Sequence, residues 1–590
     1  MKNPLTRMCS ARLALTCWLL AACCVNAQAI NPPFANLDCN NYLAHVHKES
    51  DKYPEKTFNE YVYALARAGF KTAVFNVSSK QTNYDSDVWD ARWDGFDPEQ
   101  GADQPFFRTA TDAEKEYWHP RIRQYLDFHK RGFDYPAMAI EFSRANKISP
   151  WLSIRMNDVH HGYRKDHILH SSFYNNHPEY RRKSGHPYYS HALDYARAEV
   201  RDHFLKLIRE LLSRYDMDGL ELDFMREPYV FSEGEEEAGA RILNKWLETE
   251  VLPLVNAAGE RLGRKVMLGA RVPADPDTAL ALGLDVKTWM GKGYFDLLVP
   301  TPRWETILFD MPWHKWKMMR QGHDSPILLA GMETNYKPHP RLRARTASRA
   351  MLFGAAASAL AQGADGIYTF NYFPVNKRGF LHRTTGCGSL ETLLQSKRTH
   401  AVTFDDIRLP GQKLSCQLPF EQREGVIKLS VAPIEEKSLL SLTIGLAAAD
   451  EQIPPMPELR LGDRNFTVAP NKTREAKHII AVGTITANEP IPAGEVALHV
   501  SWGDQKPLPI HRVELTVCPA CAPRPPVTAS PQSLHNTAFD LVVIGGTPAG
   551  IACAVRSARE GLKVLLVQHN RHLGGMLVNG TITMSPCRSV

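Results

Sequence analysis

Glu221 and Asp223 stand two residues apart in the stretch Tyr215-Asp216-Met217-Asp218-Gly219-Leu220-Glu221-Leu222-Asp223-Phe224-Met225-Arg226. On an extended strand alternate side chains share a face, so the two acids point one way and Leu220, Leu222 and Phe224 the other. Two acids on one face of an otherwise apolar strand are costly to bury unless they are paired or put to use. Paired carboxyls suit acid–base chemistry, one surrendering a proton while the other stays ionised. The competing reading is an ordinary strand whose acids sit in salt bridges. The elements around the pair favour use. A helical run, Ala196 to Arg214, carries Val200, Phe204, Leu207, Ile208, Leu211 and Leu212 at helical spacing, and the chain then turns through Asp218-Gly219 into the strand. A helix, a tight turn and a strand with acids near its C-terminal end make one unit of a (β/α) barrel.

Seven further segments complete such a barrel between about 37 and 374. The strands are expected at Tyr42 to His47, Thr72 to Val77, Ser149 to Arg155, the acid-bearing stretch, Lys265 to Val272, Tyr294 to Val299, Pro326 to Met332 and Gly366 to Phe370. Helical patterns lie between them, and a long excursion, Ser78 to Arg131, follows the second strand. Most of these strands end in polar or aromatic residues: Asn76 and Ser78, Arg155 to Asp158, Asp223 to Arg226, Arg271, Thr301 to Trp304, Glu333 to Asn335, and Asn371-Tyr372. So loaded an end marks the active-site face of this fold.

The phrase Asp218-Gly219-x-x-x-Asp223-x-x-Arg226-x-Pro228 resembles the glycoside hydrolase-like (family-10-like) barrel proteins of secreting bacteria, as do Asn157-Asp158-Val159-His160-His161 and Gly283 to Trp289. The resemblance covers most of Leu37 to Pro374. It implies a hydrolase that cleaves a glycosidic bond between two carboxyls, one protonating the leaving oxygen and the other attacking or activating water. Carried onto this chain, the acids are Asp223 or Glu221 at strand four and Glu333 at strand seven. Arg226 is the expected partner that keeps Asp223 ionised, which would make Glu221 a rival for the acid. Arg155, Asn157, Asp158, Arg226, Arg271, Arg303 and Asn371 are the expected contacts to sugar hydroxyls, with Trp304, Tyr372, Tyr368 and Trp151 as stacking faces. So many arginines favour an anionic sugar. The expected partner is therefore a poly- or oligosaccharide, and the barrel needs no cofactor. A metal reading is weaker. His45-Val46-His47 suggests a metal-binding pair, but Arg271, Arg303 and Asn371 stand where further ligands are needed.

From about 402 to 517 short alternating runs separated by Pro- and Gly-bearing turns read as an all-β sandwich, a packing module with few aromatics. Residues 518–537 are a Pro-rich linker. The single Cys518-Pro519-Ala520-Cys521 pair reads as a local disulfide or plain thiols rather than a zinc site. In 538–590, the run Phe539 to Ile544, the turn Gly545-Gly546-Thr547-Pro548-Ala549-Gly550, a helix and the strand Lys563 to Val567 form a Rossmann-type βαβ dinucleotide fingerprint. With Arg571-His572-Leu573-Gly574-Gly575-Met576 it resembles the N-terminus of FAD-dependent oxidoreductases. Gly545, Gly546 and Gly550 are the expected, vestigial, cofactor contacts. Thr547 replaces the second fingerprint glycine, and Gln568 replaces the acid that normally holds the ribose. Some fifty residues are too few to enclose FAD, so the segment reads as a truncated domain, with FAD expected only where that domain is complete.

Residues 1–29 read as a signal peptide, with Lys2, Arg7 and Arg12 before the apolar run Leu13 to Val25. Ala27-Gln28-Ala29 suits ordinary secretion, whereas Leu20-Ala21-Ala22-Cys23 resembles a lipobox that would attach the protein to a membrane through lipidated Cys23. Both imply export, to the periplasm, the outside or the outer membrane. The formal charge of +6 over 590 residues is small, and without a basic run it points away from nucleic acid.

Overall fold

The computed structural model describes residues 30, 32–38, 53–303, 305–320, 326–372, 383–447, 455–475, 478–520 and 538–567. The chain divides into two units, 1–520 and 521–590.

Eight parallel strands close the barrel of the first unit: β1 (Phe34–Leu37), β2 (Thr72–Ser78), β3 (Ser149–Arg155), β4 (Gly219–Asp223), β5 (Met267–Pro273), β6 (Leu297–Thr301), β7 (Ile327–Met332) and β8 (Gly366–Thr369). β1 pairs with both β2 and β8, which completes the ring. The expected strand at Tyr42 to His47 lies outside the described residues. The strand that closes the barrel is β1, four buried residues ahead of it, too short to show an alternating pattern. The other seven strands fall where the sequence puts them. The excursion after β2 contains a helix the apolar pattern did not announce, Asp112–Lys130, started by a capping box in which Thr111 and Glu114 satisfy each other's backbone groups.

Inward residues occupy two levels. The floor is apolar, with Phe34, Val74, Trp151, Leu297 and Leu329 packed together. Trp151 is large enough to require empty space on the next two strands. A Cβ on Gly219 would stand 2.4 Å from its indole, and one on Gly269 2.9 Å. Above the floor the inward positions turn polar. Register sets Ser153 beside Glu221, and Asp223 between Arg155 and Arg271.

The sandwich packs sheets of five and four antiparallel strands. One sheet runs Arg398–Ala401, Ile510–Cys518, Leu439–Ala447, His478–Thr486, Ala469–Glu475, and the other Glu424–Val431, Gly494–Ser501, Glu458–Leu461, Arg464–Phe466. Between them lie Ile427, Leu429, Leu440, Leu442, Leu498, Val513 and Leu515. The Ala-rich helix Arg349–Gln362 docks barrel and sandwich together. Gly354 allows Thr399 so close that a Cβ would meet its carbonyl at 2.0 Å, and Ser358 hydrogen-bonds Ser430 at 3.0 Å.

In the second unit Leu541–Ile544 and Val564–Val567 pair in parallel around the helix Pro548–Arg559.

Candidate active site

The β4 acids take opposite roles because their neighbours differ. Glu221 faces the barrel axis, fully buried. Ser153 Oγ and Tyr368 Oη donate to its Oε1 at 2.7 and 2.9 Å. Its Oε2 has no hydrogen-bond partner among the described residues. Burial, and then the charge of Asp223, push its carboxyl up to about 7. Asp223 is equally buried but gripped. Arg271 Nη1 donates to both its oxygens at 2.9 Å, and the Met225 amide caps Oδ1 at 2.9 Å. The cation on Asp223 is thus Arg271, one strand over, and not the expected Arg226. Arg226 bonds the ring of His160, because Asp223 ends the strand and the chain turns at once through Phe224–Arg226.

Arg271 is itself fully buried, its guanidinium lying 3.6 Å over the Phe370 ring. Its Nε and Nη2 have no hydrogen-bond partner among the described residues. Glu333, one residue past β7, is 2 % exposed, and its Oε1 is likewise without one. Burial holds the Glu333 carboxyl well above the usual range, although Arg271 pulls the other way. Glu221, Asp223 and Glu333 all act electrostatically on Arg271, so the acids from β4 and β7 share the field of one cation, with Asp223 alone of the three in direct contact. Buried polar atoms left unmatched on this scale cost stability, and a site for a hydroxyl-rich ligand is where such a cost is expected.

The remaining expected residues divide sharply. Arg155 pairs with Asp38 and Asp158. Burial opposes ionisation of Asp158, but His160, Lys80 and Arg155 outweigh it and hold the carboxyl well below the usual range. Asn157 spends its amide on the backbone of Leu193 and Tyr229, tying two loops together. Arg303 donates Nη2 to both oxygens of Glu227 at 3.1 and 2.9 Å and Nη1 to Asp406 at 3.3 Å. Arg155 and Arg303 are thus matched by acids, which leaves Arg271, with two unmatched nitrogens, as the arginine of the site with the most donors to spare. Asn371 sits just past β8 with φ +46° and a buried Oδ1 lacking a partner among the described residues. Tyr372 is buried against Phe70 at 4.7 Å and accepts a hydrogen bond from Thr384, away from any stacking position. Trp151 and Tyr368 are interior residues, not exposed faces. Trp304, His45 and His47 lie outside the described residues.

Sequence reading missed Tyr188, Glu227 and Asp406. Tyr188 Oη donates to Glu227 at 2.8 Å, and the ring is 39 % exposed, a better platform than any expected one. One group among the described residues has metal-ligand composition: Glu114, His161 and His167. Two of its three members are already engaged, whereas His161 Nδ1 has no hydrogen-bond partner among the described residues. Arg164 bonds Glu114, and His167 accepts the Leu169 amide at Nδ1, which puts its proton on Nε2 toward Glu114. A cation would have to displace both.

In the second unit Gly545 has φ +107°, and Gly550 lies so near that a Cβ would be 2.1 Å from the Gly545 carbonyl. Thr547, at the second fingerprint position, caps the helix by accepting the Gly550 amide at 3.2 Å. The turn therefore has the backbone for the pyrophosphate end of a dinucleotide, with a side chain where a glycine normally leaves room.

The family model described as FAD dependent oxidoreductase matches residues 540–588. No curated protein matches the chain. The solved structures it resembles include glycoside hydrolases. The glycoside hydrolase domain of PgaB (BpsB) from Bordetella bronchiseptica is 7 % identical with a TM-score of 0.36, over 60 % of this chain and 98 % of that one. An α-L-fucosidase GH29 from Bacteroides thetaiotaomicron is 10 % identical with a TM-score of 0.31, over 82 % and 92 %. A maltogenic α-amylase from Thermotoga neapolitana is 12 % identical, also at 0.31, over 80 % and 99 %. Likeness this distant leaves the fold to rest on the chain's own strand pairing, an α/β class protein with a closed eight-stranded parallel barrel, antiparallel sheets and a small parallel pair.

Proposed function

We propose that the barrel is a carbohydrate hydrolase that cleaves a glycosidic bond at the C-terminal end of its strands. One observation carries this reading: buried acids of opposite disposition share one end of the barrel. Asp223 is ion-paired to Arg271, whereas the Glu333 carboxyl is driven toward its protonated form by burial. Environments that push two carboxyls apart assign the acid and the base. Glu333 donates its proton to the glycosidic oxygen, which leaves with the aglycone. Asp223 either attacks the anomeric carbon or takes a proton from the water that does. Glu221, pinned beneath by Ser153 and Tyr368, positions the sugar and shares in the acid role. The substrate is a poly- or oligosaccharide.

The test is hydrolysis by the full chain across neutral and acidic polysaccharides, beside Asp223→Asn and Glu333→Gln. Each variant is expected to lose about a thousandfold or more in kcat per folded molecule, in line with removal of a catalytic acid or base, and Asp223→Asn to melt lower as well because it unpairs buried Arg271. Full activity in both would overturn the reading.

Export through residues 1–29, with lipidation at Cys23 as one outcome, belongs to the same proposal. Radiolabelled palmitate incorporated by wild type and not by Cys23→Ala would establish the anchor. The match at 540–588 favours a second reading, in which the glycan-acting barrel is joined to a flavin-dependent partner domain.

A further inference from the structure

The segment Thr403–Leu409 leaves the first sandwich strand and crosses to the mouth of the barrel. Arg408 donates its amide to Tyr229 Oη at 3.0 Å, and Ile407 and Leu409 pack on Tyr189, Tyr229 and Leu282. The strap thereby carries Asp406 to the rim, where Arg303 Nη1 bonds its Oδ2 at 3.3 Å. Asp406 is 7 % exposed, and its Oδ1 has no hydrogen-bond partner among the described residues. It is also near enough for its charge to act on Glu333.

Neutralising Arg303 does not account for this carboxylate. Glu227, itself buried, accepts from Nη2 through both its oxygens at shorter distances, so Arg303 already has one full counter-charge, and Asp406 adds a second acid at Nη1. A second buried acid there adds a desolvation cost that a longer single bond repays poorly. A carboxylate with one oxygen fixed and the other unmatched, beside an acid-lined mouth, is however well disposed to receive a sugar hydroxyl. We propose that Asp406 is a substrate-contacting residue supplied to the barrel from outside it, its Oδ1 accepting a hydroxyl of the bound sugar. The inference rests on the glycoside hydrolase reading above and makes the strap part of the active site.

The experiment is steady-state kinetics of the full chain on whichever polysaccharide or p-nitrophenyl glycoside the wild type hydrolyses fastest. Asp406→Asn keeps an oxygen for Arg303 and nearly the same volume. It is expected to raise KM about tenfold, with kcat within about threefold and an unchanged melting temperature. Asp406→Glu keeps the charge but moves the free oxygen. It is expected to fold as the wild type and still raise KM, which keeps the test decisive where the Asn variant folds poorly. KM within twofold of wild type in both, or a lowered melting temperature with unchanged kinetics per folded molecule, would overturn the inference and leave the hydrolase reading standing. A wild type that cleaves nothing in the screen would overturn both.

Discussion

The two ends of β4 carry acids under opposite terms. At the N-terminal end Asp218 is buried, with Ser149 Oγ donating to Oδ2 at 2.7 Å and Arg144 and Arg264 reaching Oδ1 at 3.2 and 3.4 Å. Both its oxygens are matched, by side chains from three neighbouring elements. At the C-terminal end, three and five residues on, Glu221 and Asp223 share a site in which Glu221 Oε2, Glu333 Oε1 and two nitrogens of Arg271 find no partner among the described residues. Acids are buried at both ends of the same strand. The difference is whether the polar atoms are used up. A buried acid in a fully matched network holds a fold together, and a buried cluster that leaves carboxyl and guanidinium atoms unmatched is where a ligand is expected.

Exchanging the treatment of the two ends tests this most strongly. Asp223→Asn is expected to abolish hydrolysis per folded molecule, as above, and also to lose stability, because it leaves the fully buried Arg271 without its carboxylate. Asp218→Asn sets an amide N–H₂ against two guanidinium groups and is expected to cost about 2 kcal/mol of stability, less than a fully buried pair because Arg144 is partly exposed. Its kcat per folded molecule should match the wild type. Chemical denaturation read beside activity separates the two outcomes, and a catalytic loss in Asp218→Asn would erase the distinction.

A smaller effect probes the floor beneath both acids. Gly219→Ala puts a methyl where the Trp151 indole already lies, 2.4 Å away. Overpacking of this kind typically costs about 1–3 kcal/mol. Trp151→Phe in the same chain should restore part of the loss, because the smaller ring vacates the contact. Failure of the double variant to recover would mean that the floor is set by something other than this pair.

Much of this arrangement was legible. The two-residue spacing of Glu221 and Asp223, the Asp218-Gly219 turn and seven of the eight strands follow from alternation and punctuation, which are local. What was not legible is set by register and by distant segments. Arg226 looked like the partner of Asp223 because it is three residues away. Arg271 is forty-eight away and wins because parallel pairing puts it directly beside Asp223. Trp151 resembles a sugar platform in sequence, and only Gly219 and Gly269 on the adjoining strands reveal it as a plug. β1 is too short to alternate. Asp406 belongs to a segment that carries no motif, and its bond to Arg303 spans 103 residues.

Glu221 gives the finest test, through pH. In the folded chain its carboxyl is pushed up to about 7 from the usual 4.5, first by burial and then by Asp223. The folded state therefore binds more protons than the unfolded one between those values. With the proton count higher in the folded state, stability falls as pH rises through that interval, and above about 7 the loss is complete. Glu221→Gln removes the titration while keeping an oxygen to accept from Ser153 and Tyr368. The variant should melt close to the wild type at pH 5 and above it at pH 8, by roughly 3 °C for up to about 3 kcal/mol regained. The same substitution at Asp218 should never gain stability at high pH, because both oxygens of that carboxylate are matched in the fold. If Glu221→Gln is destabilising at pH 8, the carboxyl is as well satisfied as Asp218, and the two ends of the strand do not differ in the way proposed.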